Sequence, residues 1–412
     1  MSEDFLLNET FILNSSPRSV DPLKSSPLQE KQIYLDQAAT SRPKASSVGE
    51  AMRYYIDEVC ANVNRSTYAP ATDAAIRVLE TREKLCSLFG FPDPTHVIFT
   101  PGQTCSLNMV IKGLLRPGDH VLVSPLEHNG VMRPLTQLLD HGVTFDRIPL
   151  NGDDELDLEA AREMIRPNTR LMMLTHASNV SGTVLSIKKA GDLCRESKIF
   201  FAVDAAQTAG HLPIDVTAFR IDALCVPSHK GLRGPSGIGA LLLSPELAQA
   251  LEPLITGGTG SDSHTEVQPA YMPDRFESGT PNLAGIYGLH AALCELEQEG
   301  LNSRHTQEEA LLKRFLIGLD GISGIRILGT RDLNRKVGLL SVDFTARRDN
   351  AEVADLLSTK YRILTRCGLH CAPNAHKTYG TFPQGTVRFS FNSSNSKEEI
   401  DAAISAIKEI LK

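Results

Sequence analysis

The strongest constraint on the fold is a rhythm. Short, bare apolar runs recur through the middle of the chain at HVIFT (96–100), HVLVSP (120–125), RLMMLTH (170–176), IFFAVDAAQ (199–207), ALCV (223–226) and IGALLLS (238–244). None alternates strictly between polar and apolar residues, so each fits a strand covered on both faces. The stretches between them carry helical signals. Ala75, Val78, Leu79, Leu85, Cys86 and Phe89 recur near helical spacing, and Gly90 follows as a stop. Alternation of this kind is what a mostly parallel sheet with crossover helices requires, so the chain is expected to be α/β, with helices on both faces of the sheet.

At 412 residues the chain exceeds what one hydrophobic core usually supports, and two domains are expected. The texture changes near residue 290. AALCELEQEG (291–300) ends a long helical pattern, while VGLLSVDFT (337–345) and TVRFSF (386–391) resemble half-buried strands. A last helix follows, with Ser396 and Glu399 spaced as a capping box and Ile400, Ile404, Ile407 and Leu411 on one face. The expected organisation is a loosely attached, flexible arm over 1–32, a large domain over 33–290 and a small α+β domain over 291–412. A formal net charge of -7 leaves no basic footprint for nucleic acid, so a small-molecule substrate fits better. Eight scattered cysteines read as reduced thiols, and neither a secretion signal nor a run long enough to span a bilayer is evident. The expected location is the cytoplasm, with no membrane partner.

Four segments carry chemistry. In SHKGLRGPSGIG (228–239), Lys230 follows an apolar strand and precedes four glycines. A lysine there can lose its proton and act as a nucleophilic amine, although alone it reads as a solvated surface lysine. Asp204 ends the run FFAVD, where a carboxylate is costly without a cationic partner. Carboxyl ends of neighbouring parallel strands form the crevice in which open α/β sheets bind ligands. FTPGQTCSLNMVIKGL (99–114) reads as strand, turn and helix start, offering N–H groups to a phosphate beside Thr104 and Ser106. In RCGLHCAPNAH (366–376), two cysteines and two histidines lack the spacing of a metal site, so no metal is expected, and a nucleophilic thiol is the better reading. His370 and Arg366 are placed to raise its thiolate fraction. Arg388, inside TVRFSF, reads by itself as sitting on a wet face.

Assembled, these motifs resemble the class V aminotransferase group of fold-type I pyridoxal-phosphate enzymes, and within it the cysteine desulfurase and selenocysteine lyase family, from about residue 33 to 411. The resemblance implies a seven-stranded type of sheet, pyridoxal 5′-phosphate as cofactor and conversion of L-cysteine to L-alanine with a persulfide on Cys371. It implies that Lys230 forms the Schiff base, Asp204 pairs with the pyridine nitrogen, Gln207 meets the phenolic oxygen, and His128 of LEHNGVMRP stacks on the ring. Asn179 is implied as another polar group on the cofactor's side. Gln103, Thr104 and His229 match phosphate contacts. Ser228 is the remaining hydroxyl for that phosphate, a contact shifted or lost because Pro227 and Ser228 stand where the family often has a hydroxyl residue and then glycine. Thr280 of ESGTPN resembles a residue that enters the partner subunit's phosphate site, which implies a homodimer with composite sites. Arg366 and Arg388 match arginines that handle substrate and its carboxylate. A sulfur-acceptor protein is a further implied partner, and the extra thiol Cys367 reads as incidental. Selenocysteine as substrate, an aminotransferase or β-lyase acting without Cys371, and a non-catalytic sulfur carrier remain as alternatives.

Overall fold

The structure, a computed structural model, describes residues 32–63 and 67–412. The expected arm over 1–32 lies, but for Gln32, outside the described residues.

Thirteen strands are described. They are β1 (Ile33–Tyr34), β2 (Val97–Thr100), β3 (His120–Val123), β4 (Thr144–Arg147), β5 (Thr169–Thr175), β6 (Phe200–Asp204), β7 (Ala223–Pro227), β8 (Gly239–Leu243), β9 (Arg326–Ile327), β10 (Leu339–Asp343), β11 (Ile363–Leu364), β12 (Arg366–Gly368) and β13 (Thr386–Ser390). Seven form one sheet in the order β2-β8-β7-β6-β5-β3-β4. Only β8 runs antiparallel to its neighbours. Its connection from β7, residues 228–238, is too short to hold a crossover helix, so the chain turns straight back. Lys230 lies on that turn.

Alternate strand residues enter two different cores. Phe99, Leu122, Met172, Leu174, Phe201 and Val203 pack on one face, and Ile98, Val121, Val123, Leu171, Met173 and Ala202 on the other. This two-sided burial is why the runs are bare in the sequence. The edge strand β4, with the exposed sequence TFDR, lacks that signature and gave no strand signal.

A second, antiparallel sheet has the order β12-β13-β10-β9. It shares a separate core with the helices Leu301–Leu319 and Lys397–Ile410, built around Phe315, Leu340, Phe389 and Ile400. The capping box forms as expected, with Ser396 accepting from the Glu399 N–H and the Glu399 carboxylate accepting from the Ser396 N–H. Residue 290 lies within the helix Leu283–Glu299. The chain enters through β1, which pairs in parallel with β11, and Leu35 packs into this second core. That entry carries Asp36 to a bridge with Ser390 of β13.

Candidate active site

Asp204 closes β6, and Lys230 follows the adjacent β7, so sheet order brings the acid and the amine to one edge. The Asp204 carboxylate is almost fully buried; its Oδ1 accepts from the Ala206 N–H at 2.9 Å and from Gln103 Nε2 at 2.6 Å. Burial pushes its pKa above the usual carboxylate value, against the backbone N–H, Lys230 and Gln103. Lys230 is half-buried, and desolvation lowers its pKa to about 8. Asp204 opposes that fall, while Arg388 and Arg366 add to it. The amine is therefore far closer to its neutral, nucleophilic form at physiological pH than an ordinary lysine.

His128 caps the helix Asn129–Leu139, its Nδ1 accepting from the Gly130 N–H at 2.9 Å. Burial, then Lys230 and Arg366, hold its pKa down to about 4, so the ring is neutral. Glu127, which the sequence reading passed over, is buried just before it. Its Oε1 accepts from Ser124 Oγ and the Thr175 N–H, Oε2 has no partner among the described residues, and burial raises its pKa to about 8. Gln207 is buried and donates to the Ala38 carbonyl at 3.3 Å. His229 meets Thr40 Oγ1 through Nδ1 at 3.1 Å, and Lys44 Nζ donates to the His229 carbonyl at 2.7 Å. Ser228 Oγ is buried without a partner against Gly234, where any side chain would strike it. Gln103 and Thr104 open the helix Gln103–Leu114, where the first N–H groups have no intrahelical acceptor. The Gln103 side chain, however, points to Asp204 instead of lying free for a phosphate. Thr280 is exposed and lines a cavity with Phe99, Cys105, Leu254 and Ile255, a cavity whose lining does not include Lys230.

The thiol arrives from the second sheet. Cys371 is exposed, and Arg366 Nη2 donates to its Sγ at 3.5 Å. His370 and Cys371 both have left-handed backbone, with φ of 50° and 58°. Non-glycine residues adopt this conformation at a cost of about 1 kcal/mol or more each, so their surroundings must hold them. Three bonds do so. The Asn129 N–H donates to the Cys371 carbonyl at 2.7 Å, Asn179 Nδ2 to the His370 carbonyl at 2.6 Å, and Asn374 Nδ2 to the Pro125 carbonyl at 2.8 Å.

Two expectations need correction. The same backbone twist turns the His370 ring inward to Thr386 Oγ1 at 3.1 Å, and burial drives its pKa down to about 2. It is a neutral core residue and does not touch the thiol. Arg388 is not on a wet face. Its side chain is 1% exposed, with Nη2 on Asp36 Oδ1 at 2.7 Å, Nη1 on the Asn179 carbonyl at 3.1 Å, and Nε buried without a partner. Asp36, at the end of IYLD, was the residue to suspect, since a carboxylate after an apolar strand needs a cation as much as Asp204 does. Cys367 faces the second core and is held above the ordinary thiol pKa by burial.

This arrangement has an amine lowered toward neutrality, a buried carboxylate with one uncommitted oxygen, a neutral aromatic ring and a helix N-terminus. Gln103 Oε1 and Ser228 Oγ are buried polar atoms without partners among the described residues. Such a set fits a charged heteroaromatic aldehyde bearing a phosphate. Together with the mostly parallel sheet and smaller second sheet, it defines the fold-type I class of pyridoxal-phosphate proteins. Solved structures agree. The apo cysteine desulfurase from Thermococcus onnurineus NA1 superposes with a TM-score of 0.86 at 32% identity, over 92% of this chain and 94% of that one. The cysteine desulfurase CsdA of Escherichia coli gives 0.82 at 32% identity, over 92% and 96%. By sequence, a probable cysteine desulfurase of Pyrococcus abyssi is 35% identical over 95% of this chain and 97% of its own. The class-V aminotransferase family matches residues 33–403, and the chain belongs to it. That family works with pyridoxal 5′-phosphate. Among the described residues no cluster could hold a metal, and no helix is long and apolar enough to cross a membrane.

Proposed function

We propose that the protein is a cysteine desulfurase that removes sulfur from L-cysteine, releases L-alanine and retains the sulfur as a persulfide on Cys371. The observation that carries this reading is the exposed Cys371 thiol held 3.5 Å from Arg366, which also lies in the electrostatic field of Lys230 and His128. The exposed sulfur is open to a substrate, and the guanidinium beside it offers a charged hydrogen-bond donor.

When bound, pyridoxal phosphate supplies the electron sink that weakens bonds at the substrate's α-carbon. Lys230 would hold it through its amine, and that same amine, lowered toward neutrality, would move the substrate's α-proton. The Asp204 carboxylate would pair with the ring nitrogen, and the neutral His128 ring would stack on the cofactor. Gln207 would meet the ring's phenolic oxygen, Asn179 would serve as a further polar group beside cofactor and substrate, and Thr104, His229 and Ser228 would hold the phosphate. Arg388 takes the substrate carboxylate through the donor capacity Asp36 leaves free. The Cys371 thiolate attacks the substrate sulfur: an S–S bond forms, the C–S bond breaks with its electron pair left on carbon, and a proton completes the methyl group of alanine.

A homodimer belongs to the same proposal. Tyr54, Ile56, Tyr68, Ile76, Leu254 and Ile255 are large apolar side chains left exposed, and covering them with a second copy would be favourable. A second copy would bring Thr280 to the opposite phosphate site. We further propose the boundary near 290 as the division between the large and small parts, and the cytoplasm as the location.

The test is purified protein given cysteine and, separately, selenocysteine, with alanine and reducible protein-bound sulfur or selenium measured. Cys371→Ser should keep cofactor uptake and lose both alanine from cysteine and bound sulfur. Unchanged cysteine turnover in that variant rules out the persulfide role. Lys230→Ala should abolish the visible absorbance of the lysine-bound cofactor, and a yellow, active variant rules out the tether.

A further inference from the structure

We propose that Gln103 is a positioning residue for Asp204, fixing one carboxylate oxygen so that the other is presented, ionised, to the cofactor's ring nitrogen. The inference rests on the pyridoxal-phosphate reading of the site and assigns Gln103 a task at the cofactor's ring nitrogen instead of its phosphate.

The geometry carries it. Both donors to Asp204 converge on Oδ1, Gln103 Nε2 at 2.6 Å and the Ala206 N–H at 2.9 Å, and no described protein group donates to Oδ2. The amide orientation follows from the same contact. Gln103 Oε1 is buried and has no partner among the described residues, so the Asp204 contact sets the amide's orientation, and the flipped amide would set its oxygen against a carboxylate. Gln103 is the first residue of a twelve-residue helix packed on the sheet, which roots the side chain. An amide N–H on a buried carboxylate is a charge-assisted bond and favours the ionised form. Without it, burial acts on Asp204 opposed only by the Ala206 N–H and Lys230. A neutral Asp204 cannot pair with a protonated ring.

The experiment measures the affinity of the apoprotein for pyridoxal phosphate, by equilibrium dialysis, in wild type, Gln103→Leu and Gln103→Glu from pH 5.5 to 8.5. Lys230, Glu127 and Cys225 are the ionisable groups that interact with Asp204, and they are common to all three proteins. The ratio of each variant to wild type at one pH therefore removes their titration. Gln103→Leu is expected to bind about tenfold more weakly, the scale of one lost hydrogen bond to a charged group. Gln103→Glu shares one proton with Asp204 at low pH and can still donate, so it should match wild type there. It should fall below the leucine variant as the proton leaves and two carboxylates face each other. A leucine variant of wild-type affinity, or a glutamate-to-wild-type ratio independent of pH, overturns the proposal. If Gln103→Leu does not fold, the glutamate variant decides alone at the two ends of the pH range. Wild-type protein that takes up no cofactor at any pH overturns the pyridoxal-phosphate reading itself, and this proposal with it, an outcome separate from those above.

Discussion

The lowered pKa of Lys230 makes capture of the cofactor by the apoprotein a direct probe of the site. Desolvation, opposed by Asp204, takes the amine from its ordinary 10.5 to about 8. At pH 7 a shift of that size raises the neutral, nucleophilic fraction about 300-fold over that of a free lysine. The assay follows visible absorbance after mixing apoprotein with pyridoxal phosphate from pH 6 to 10.5, with N-acetyl-lysine amide run in parallel to cancel the cofactor's own ionisations. Relative to the free amine, the protein's rate should be level up to about pH 8 and fall above it, because only the free amine continues to gain neutral molecules. Asp204→Asn removes the group that holds the pKa up, so the break should move to lower pH. Arg388→Gln removes a repulsive charge and should move it higher. A relative rate that stays level to pH 10.5 would show that Lys230 titrates like any solvated lysine and refute the electrostatic account.

Two further outcomes follow from the thiol segment. Arg366→Gln removes the charged donor on Sγ and should slow alkylation of Cys371 by iodoacetamide at pH 7; an unchanged rate would assign the arginine to substrate alone. His370 is held near pKa 2 when folded against 6.5 when exposed, so the unfolded chain binds the extra proton in weak acid and stability falls as pH drops below 6.5. His370→Gln should therefore cost about 2 kcal/mol less at pH 5 than at pH 7 by urea unfolding of the apoprotein, the product of 1.5 pH units and about 1.4 kcal/mol per unit. A cost independent of pH would place the imidazole in contact with solvent.

What the sequence disclosed and what it hid divide along physical lines. Strands buried on both faces announce themselves because every position must be apolar, so six runs were legible while β4, with one side open to water, was not. Asp204 and Lys230 were visible because charge at the end of an apolar strand is costly and demands a reason. Arg388 obeys the same logic, yet its partner Asp36 lies 352 residues away, and local reading cannot supply a partner at that distance. His370 misled because adjacency to Cys371 implies contact only in an ordinary backbone, and two consecutive left-handed residues reverse the direction of the ring. Gln103 misled by side-chain length: its backbone opens the helix, but its amide reaches across to β6.

The bonds from Asn129, Asn179 and Asn374 make the segment around Cys371 a mooring. A tethered arm could ferry its cargo outward, whereas the backbone that carries this sulfur cannot shift without breaking those bonds and releasing the twist they hold. Whatever reacts with the Cys371 thiol must therefore come to it where it stands.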